Sequence, residues 1–393
     1  MATAVEESSI NSRGRRRVFL YLLGAILMET LFFVVLSPLL PVYARHLHLG
    51  RVGAGVLSAC YAFGYGLAAV PAGVLVGIVG QRWVSLGGLA LVATGCVAFA
   101  LVDQIVALDA ARCLTGVGGA AVWAGSIPWL VSLGGPQDRG RMIGLAFSAA
   151  SAGACAGPAV GALATVTGTR AAFLGLSVLI AALAVAGAAV SAGHEPQRPQ
   201  RAPRALRRAA RAPGARLALG MVVLPSVGFG VAGVLLPLRL HAEGVTEAVI
   251  AAGFLVAAGL EVVTNAAVGR WFDRRGGRRV LAATLAGSAV CAAAIALPLP
   301  AAALLVALVV SLPVIGAVWV PSLAQLGVAV ERGGSQPGVA LGLFNITWAV
   351  SQMVGAVGGA QLASGLGESV PFAALAGLLV LGIAGTGRLN PER

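Results

Sequence analysis

The chain has 393 residues, of which 58% are hydrophobic and only 10% are charged, and its net charge is +13. A soluble protein of this length needs far more polar surface, so the composition predicts a polytopic membrane protein and excludes an ordinary soluble enzyme or binding module. All 27 basic side chains are arginines, and all but one lie in loops or tails outside the apolar runs, which favours membrane topology over nucleic-acid binding as the origin of the charge.

The cysteines and other reactive side chains indicate no catalytic centre. Five cysteines are scattered singly through apolar runs, without the spacing of a zinc site or a disulfide framework. We find no convergent nucleophile, metal-ligand or cofactor-binding set. The sequence therefore predicts a protein that is not an enzyme and has no metal and no cofactor.

Twelve apolar segments of roughly 20 residues recur along the chain, each long enough to cross a ~30 Å hydrocarbon core as a helix. The fold class we expect is an all-α polytopic membrane protein, with twelve transmembrane helices in two pseudo-symmetric six-helix bundles. Spans 9 and 10 are separated only by the turn LPLPA at 297–301. The predicted spans are 18–41, 53–78, 84–102, 106–134, 142–165, 171–192, 217–238, 248–271, 280–298, 301–329, 338–362 and 370–387.

The arginines test this count of spans. If the N-terminus is cytoplasmic, 22 arginines fall in cytoplasmic segments, with Arg270 at the inner end of span 8 counted among them, four fall in outer loops, and Arg112 alone lies in the interior of a span. A miscounted span would invert the loops that follow it and destroy this asymmetry. We therefore expect a multi-pass protein of the plasma or inner membrane with both termini in the cytoplasm.

The first span, which contains METLFFVVLSPLLP at 28–41, places a carboxylate inside the membrane. Glu29 lies 11 residues from the inner end of the span, about 16 Å along a helix and so near the midplane. A charged acid there costs at least a few kcal/mol, so protonation becomes accessible near neutral pH. Pro38 frees a backbone carbonyl near residues 33–34, and together with Pro41 it marks a bend.

Spans 4 and 5 carry two further patterns. In RCLTGVGGA at 112–120, Arg112 stays charged and must face a cavity or a partner, or else extend to the outer surface. Span 5 spaces its small residues so that they form a smooth face for a neighbouring helix, and its proline can bend the helix. This face suits a hinge against span 8, or simple helix packing. Its residues are Gly144, Gly153, Gly157, Pro158 and Gly161.

The loop at 193–216 divides the chain into two halves that repeat. We expect an N-terminal bundle at 1–192, a basic cytoplasmic linker at 193–216 and a C-terminal bundle at 217–393. Arg204, Arg207, Arg208 and Arg211 have helical spacing and would form one basic face, directed at anionic lipid headgroups or at a regulatory partner. The repeat is seen in Pro41 and Pro237, Gly73 and Gly269, and Gly80 and Gly276 at an offset of 196, and in Gly144, Gly157 and Gly161 with Gly342, Gly355 and Gly359 at an offset of 198.

The second half holds a second carboxylate and a polar helix face. Glu261, in span 8, lies about 15 Å from the inner end of its span, with Asn265 one turn further on. Glu261 could belong to the proton pathway and Asn265 could line a substrate cavity, or the two side chains could form a structural hydrogen-bonded pair. Asn345, Trp348 and Gln352 share a face of span 11, and they could line a substrate cavity or join neighbouring helices.

The loop GRWFDRRGGRR at 269–279 follows span 8. Gly269 and Gly276 would allow a tight turn close to the membrane. Asp273, with Arg274 and Arg278, could latch the cytoplasmic side in one conformational state. The equivalent loop of the first half, GVLVGIVGQRW at 73–83, has Gly77 and Ile78 where the acidic and basic residues would fall.

These four motifs, in span 1, span 4, span 5 and the 8–9 loop, resemble the major facilitator superfamily, and within it the twelve-span drug:proton antiporters. The resemblance covers the whole chain. It implies alternating access, an antiporter-type span 5, and a role for Arg112 near the proton-transfer site. It also implies that Glu29 carries the coupling charge, and that the departure in the 2–3 loop weakens a latch on that side.

The sequence thus predicts a secondary transporter, in the first place a proton-coupled efflux antiporter of drug-like molecules or metabolites. A proton-coupled importer or facilitator with the same fold is the alternative, and a non-transporting membrane sensor is a distant one. We expect Glu29, Arg112 and Glu261 to serve proton coupling. The expected partners are a small-molecule substrate, protons and anionic lipid, with no nucleic acid, and we expect a monomer.

Overall fold

The computed structural model describes residues 2–134, 138–189, 202–212, 214–333 and 337–387, and in these ranges the regular structure is helical throughout. The helices are α1 (Ala2–His46), α2 (Arg51–Val79), α3 (Gln81–Leu101), α4 (Ile105–Ser132), α5 (Arg139–Thr167), α6 (Thr169–Ala188), α7 (Ala202–Ala210), α8 (Ala215–Ala242), α9 (Glu247–Arg275), α10 (Gly277–Ile295), α11 (Ala301–Gly316), α12 (Trp319–Arg332), α13 (Pro337–Leu366) and α14 (Ser369–Thr386).

Twelve stretches of helix in the described chain are long and apolar enough to cross a membrane, with α11 and α12 counted together as one span. They correspond one to one with the predicted spans, so the predicted fold class is confirmed. The LPLPA turn also lies where we expected it, since Pro300 directly precedes α11. A helix satisfies its own backbone hydrogen bonds, so each of these segments can cross hydrocarbon without leaving backbone groups unsatisfied.

The tenth span differs from its prediction, because it is broken. The sequence predicts one helix over 301–329, whereas α11 ends at Gly316 and α12 begins at Trp319. Pro313 lies in the last turn of α11 and Pro321 in the first turn of α12. Prolines on both sides of a glycine remove backbone donors and weaken the helix at this point, and hydropathy does not report such a local effect.

The helices pack into a bundle whose two ends differ. We call the end that holds α7, the α2–α3 junction and the α9–α10 junction the linker face, and the opposite end the far face. At the linker face, Leu206 and Ala209 of α7, and Ala212 just beyond its end, pack in a cluster with α8, α12 and α13. Arg207 and Arg208 point away from this contact and are exposed, as is Arg211 just beyond α7, while Arg204 has a side chain outside the described set. The division into two six-helix domains stays a prediction.

The glycine face of α5 packs against α1. A Cβ at Gly153 would collide with the Leu27 carbonyl oxygen, and a Cβ at Gly157 would lie 3.0 Å from the Leu31 carbonyl oxygen. We expected this face to meet span 8, and that expectation is wrong. The glycines let two backbones of the same half approach closely, and α5 also packs against α9.

The second half repeats this arrangement. Gly355 and Gly359 of α13 face Val227 and Val231 of α8, so that α13 packs on α8 as α5 packs on α1. Gly144 has open space around its Cβ position and takes no part in the contact. The sequence repeat therefore corresponds to a repeated helix pair.

Ion pairs join the two halves at the far face. The Arg45 guanidinium of α1 lies 2.8 Å from the Glu247 carboxylate of α9. The Arg51 side chain of α2 contacts Glu368, at the start of α14, and Arg239 approaches the same carboxylate at 3.6 Å. Just inside this rim, Gly55 of α2 packs closely against the Ala356 carbonyl of α13.

Candidate functional site

Glu29 lies in the middle of α1 and is buried, with 2% of its surface exposed. Three side chains donate hydrogen bonds to its carboxylate. The Tyr61 hydroxyl of α2 donates to Oε1, the Trp123 Nε1 of α4 donates to Oε2 at 2.8 Å, and the Thr30 hydroxyl donates to Oε2 at 3.3 Å. Because hydrogen bonds to a carboxylate are stronger than neutral ones, this cluster can hold an anion away from water.

Gly119 makes room for this cluster on α4. A Cβ at Gly119 would lie 2.6 Å from Oε1 of Glu29 and even closer to the Tyr61 hydroxyl. Gly116, one turn earlier, faces the backbone of Tyr61 in the same way. These two glycines of the RCLTGVGGA motif let α2 and α4 approach until side chains of both reach one carboxylate.

Arg112 also lies on this face of α4, and it is 2% exposed. Its guanidinium donates to the backbone carbonyls of Phe32 at 3.2 Å and Phe33 at 2.6 Å, on α1. It lies over the Tyr61 ring at 4.9 Å and attracts the Glu29 carboxylate electrostatically without an ion-pair contact. Arg112 therefore lies inside the bundle with backbone carbonyls of α1 as its partners and does not extend to the outer surface, and its role in proton transfer stays a prediction.

The carbonyls that Arg112 binds lie beside the one that Pro38 releases. Proline has no N–H, so the carbonyl four residues earlier, that of Val34, loses its helical donor. Arg112 binds the carbonyl of Phe33, the residue immediately before it. The two carbonyls that Arg112 binds therefore lie next to the backbone position that Pro38 is expected to free.

An aromatic cluster covers the site from the second half of the chain. Trp348 of α13 packs on Tyr65 at 5.3 Å and on Phe33 at 5.5 Å between ring centroids. Phe33 in turn packs on Tyr61 at 4.6 Å. One face of the Glu29 site is thus formed by a residue of the opposite half, and Trp348 is the predicted cavity residue that the structure brings to it.

The sequence did not single out Tyr61, Trp123 or Gly119. For Trp123 a signal exists, because Arg112, Gly116, Gly119 and Trp123 are spaced four, three and four residues apart and so share one helix face. For Tyr61 no local signal exists. Its hydroxyl reaches Glu29 only because α2 packs closely on α4.

The other three predicted cavity residues are Asn265, which lies beside Glu261, and Gln352 and Asn345 on α13. Gln352 is buried on α13, and its Oε1 has no hydrogen-bond partner within the described residues. Asn345 is half-buried on the same helix.

Glu261 forms a separate group, which the structure does not bring to Glu29 or Arg112. Its carboxylate lies against Gly316 at the break between α11 and α12, and Asn265 is its hydrogen-bonding neighbour on α9. Cys155 of α5 approaches it from the first half. The predicted Glu261–Asn265 pair is therefore present. Glu261 and Arg112, which we expected to serve one proton relay, are not in contact.

The 8–9 loop motif lies at the linker face. Gly276 joins α9 to α10 with φ of +78°, a conformation that favours glycine, and the equivalent Gly80 joins α2 to α3 with φ of +90°. Gly269 was wrongly expected in a turn, because α9 continues as a helix to Arg275. Asp273 is exposed and has no ion-pair partner in the described part of the chain, and Arg274 and Arg278 are exposed as well.

Comparison with known proteins identifies the family. The family model described as Major Facilitator Superfamily matches residues 22–356, which covers most of the chain and every residue of the Glu29 site. No curated protein matches the sequence. The chain is therefore an integral multi-pass membrane transporter that belongs to the Major Facilitator Superfamily.

Proposed function

We propose that the protein exports small molecules in exchange for protons and that Glu29 carries the coupled proton. The observation that carries this proposal is the carboxylate cluster, in which three donors from α1, α2 and α4 meet one buried acid. A charged carboxylate accepts all three hydrogen bonds, whereas a protonated one must rearrange them. Proton uptake at Glu29 thereby changes contacts among three helices.

Arg112 ties this chemistry to the backbone of α1. Its two bonds to the Phe32 and Phe33 carbonyls hold α4 to the segment just before Pro38. When Glu29 gains a proton, the attraction between its carboxylate and the guanidinium disappears. The expected result is a weaker link between α1 and α4, at the point where α1 can bend.

Alternating access would proceed by movement of the two halves about this centre. We take the linker face as cytoplasmic, in line with the distribution of arginines. The far face then lies outside, where ion pairs join the halves, and the exposed Asp273 lies inside, where it makes no ion pair within the described residues. These contacts fit a state that is closed to the outside.

The substrate would be drug-like or a metabolite and would meet the wall formed by Trp348, with Asn345 and Gln352 on the same helix. The basic side of α7 would face anionic lipid headgroups at the cytoplasmic surface. The protein would act as a monomer in the plasma or inner membrane.

The test begins with a panel of dyes, antibiotics and metabolites in a host that lacks its own efflux pumps. A transported compound is then measured in inverted vesicles under an imposed pH gradient. Glu29→Gln should abolish gradient-driven transport at normal expression, whereas Glu331→Gln, which changes an exposed carboxylate of α12, should transport like the native protein.

Undiminished gradient-driven transport by Glu29→Gln would exclude Glu29 as the coupling residue. Uptake in the direction of the proton flow would instead identify a symporter, and a rate that does not depend on the gradient would identify a facilitator.

A further inference from the structure

One carboxylate oxygen at the far face is approached by basic side chains from both halves of the chain. Oε1 of Glu247, at the start of α9, lies 2.8 Å from the Arg45 guanidinium of α1. The same oxygen lies 3.7 Å from Nδ1 of His241, in the last turn of α8. Arg45 belongs to the first half and the other two residues belong to the second, so this oxygen lies in the contact that joins the halves.

His241 lies beside Glu247 without a hydrogen bond to it. The separation of 3.7 Å exceeds hydrogen-bond distance, and Nδ1 is buried with no hydrogen-bond partner within the described residues. Only residues 243–246 separate α8 from α9, so the two side chains stay neighbours however the halves move. A ring movement of about 1 Å would bring a protonated Nδ1 within hydrogen-bond distance of the carboxylate.

The charge of His241 can follow the pH of the solution at the far face. Histidine is the side-chain type that ordinarily gains or loses its charge between about pH 5 and pH 8. The His241 side chain is 32% exposed, so the solution at this face reaches it directly. Its proton therefore needs no path through the membrane.

Protonated His241 and Arg45 compete for one negative charge. With the far face closed, Glu247 already neutralises Arg45, and a positive His241 adds repulsion between two cations. With the far face open, Arg45 has moved away with the first half, and a positive His241 pairs with Glu247 alone. The open state therefore binds the proton more favourably, so a fall in pH shifts the equilibrium toward it and a rise in pH shifts it back.

The elements packed against this end of α8 bring other charged and titratable side chains, which have their own contacts or are exposed. Arg51 of α2 and Arg239 of α8 both reach Glu368. His46 of α1 pairs with Asp103, which lies in the same half. The helices α11 and α13 carry no charged side chain, and the exposed residues are His48 and Glu243. Competition for the shared oxygen is therefore left to one arginine and one histidine.

We propose that His241 is a pH switch of the far face, and that its protonation opens the contact between the halves. The neutral imidazole leaves Glu247 to Arg45, whereas the imidazolium draws Glu247 into a pair within the second half. In the orientation of the proposed function, on which this physiological role rests, acid outside opens the side from which the coupled proton enters. The switch itself shares no residue with the Glu29 cluster and does not depend on proton coupling there.

The test measures the distance between spin labels at Leu101 and Leu366, exposed positions at the far ends of α3 and α13, in the purified full-length protein in detergent. Variants are made in a cysteine-free background and measured at about pH 8 and about pH 5.5. Without further changes, the ratio of long to short distances should rise roughly fivefold on acidification, which corresponds to ~1 kcal/mol. His241→Gln, which cannot gain a charge, should stay closed at both pH values. His241→Arg, which is always positive, should already be open at the higher pH.

His46→Gln is the matched control, because it removes a histidine of the far face that pairs only within its own half, and it should respond to pH like the native protein. Glu29→Gln should also keep the response. Size-exclusion profiles identify the variants that fold, and His241→Arg keeps the test decisive if His241→Gln does not fold. An unchanged distance distribution across the pH range, or a native response in folded His241→Gln or His241→Arg, would overturn the proposal. Loss of the response in Glu29→Gln or His46→Gln would assign the pH dependence to that residue and equally overturn it.

Discussion

Gly119 determines how closely α4 can approach the Glu29 carboxylate. Its missing side chain leaves space that Oε1 of Glu29 and the Tyr61 hydroxyl occupy. The site therefore depends on a residue with no functional group of its own. Its effect can be tested separately from the chemistry of the carboxylate.

We predict that Gly119→Ala abolishes or strongly reduces transport, because the new methyl group displaces Glu29 and Tyr61 from each other. Overpacking of this kind costs about 1–3 kcal/mol. Gly87→Ala on α3 is the control, since a Cβ there meets nothing within 4 Å. Transport rates of the two variants at equal expression provide the measurement, and equal activity would contradict the geometry of the site.

Arg112 contributes its shape as well as its charge. A guanidinium can donate to two carbonyls at once and lie over an aromatic ring, whereas an ammonium is a compact point charge. Arg112→Lys keeps the charge but cannot reproduce both bonds to Phe32 and Phe33.

We expect Arg112→Lys to destabilise the protein by about 1.5–3 kcal/mol, the value of one hydrogen bond to a charged group. Thermal unfolding in detergent measures the loss, with Arg207→Lys on the exposed side of α7 as the control. An unchanged melting temperature of Arg112→Lys would show that charge alone suffices.

At the scale of elements, the helix pairs α1–α5 and α8–α13 are the repeated units. Gly153 and Gly157 bring the α5 backbone against the segment of α1 that runs from Leu27 to Val35, on either side of Glu29. A change in this interface therefore acts on the coupling helix itself. Gly144, where an added Cβ would meet nothing within 4 Å, offers an internal comparison on the same helix.

Gly153→Ala should lower the melting temperature and impair transport, because its Cβ would collide with the Leu27 carbonyl. Gly144→Ala should leave both unchanged or raise stability slightly, since alanine favours the helix by up to about 1 kcal/mol. The measurements are thermal unfolding and transport of the two variants. Similar losses in both would mean that the glycines matter only through helix flexibility.

At the scale of the molecule, the halves meet at the far face through opposite charges. Arg45 and Arg51 of the first half pair with Glu247 and Glu368 of the second. By the repeat offset of 196, Arg51 is equivalent to Glu247, so one duplicated position carries opposite charges in the two halves. Exposed pairs of this kind contribute about 1 kcal/mol or less each, which leaves the contact easy to break in every cycle.

Reversing one charge, in Arg45→Glu or Glu247→Arg, should open the far face, and the double reversal should close it again. Spin labels on cysteines placed at Leu101 and Leu366, exposed positions in different halves, measure the separation in a cysteine-free background. The distance distribution should widen in each single variant and return in the double one. Additive effects without rescue would show that the pair does not hold the halves together.

Much of this architecture follows from the sequence because its causes are local. Length and hydropathy determined the twelve membrane helices, the Pro300 turn, and Glu29 and Arg112 as charges in the membrane. The spacing of glycines in span 5, and the repeat that maps them onto span 11, also pointed to the packing glycines of α5 and α13. Each of these properties depends on neighbours along the chain, and the bilayer requires each segment to satisfy its own backbone.

Contacts between helices depend on rotation and close packing, which no single segment specifies. Only the tertiary structure decided that Tyr61 and Trp123 bind Glu29, and that the glycine face of α5 meets α1 and not α9. It also separated Glu261 from Arg112 and placed that carboxylate at the broken span. These outcomes arise from competition among surfaces that are nearly equal in hydropathy, and shape and hydrogen bonding decide among them.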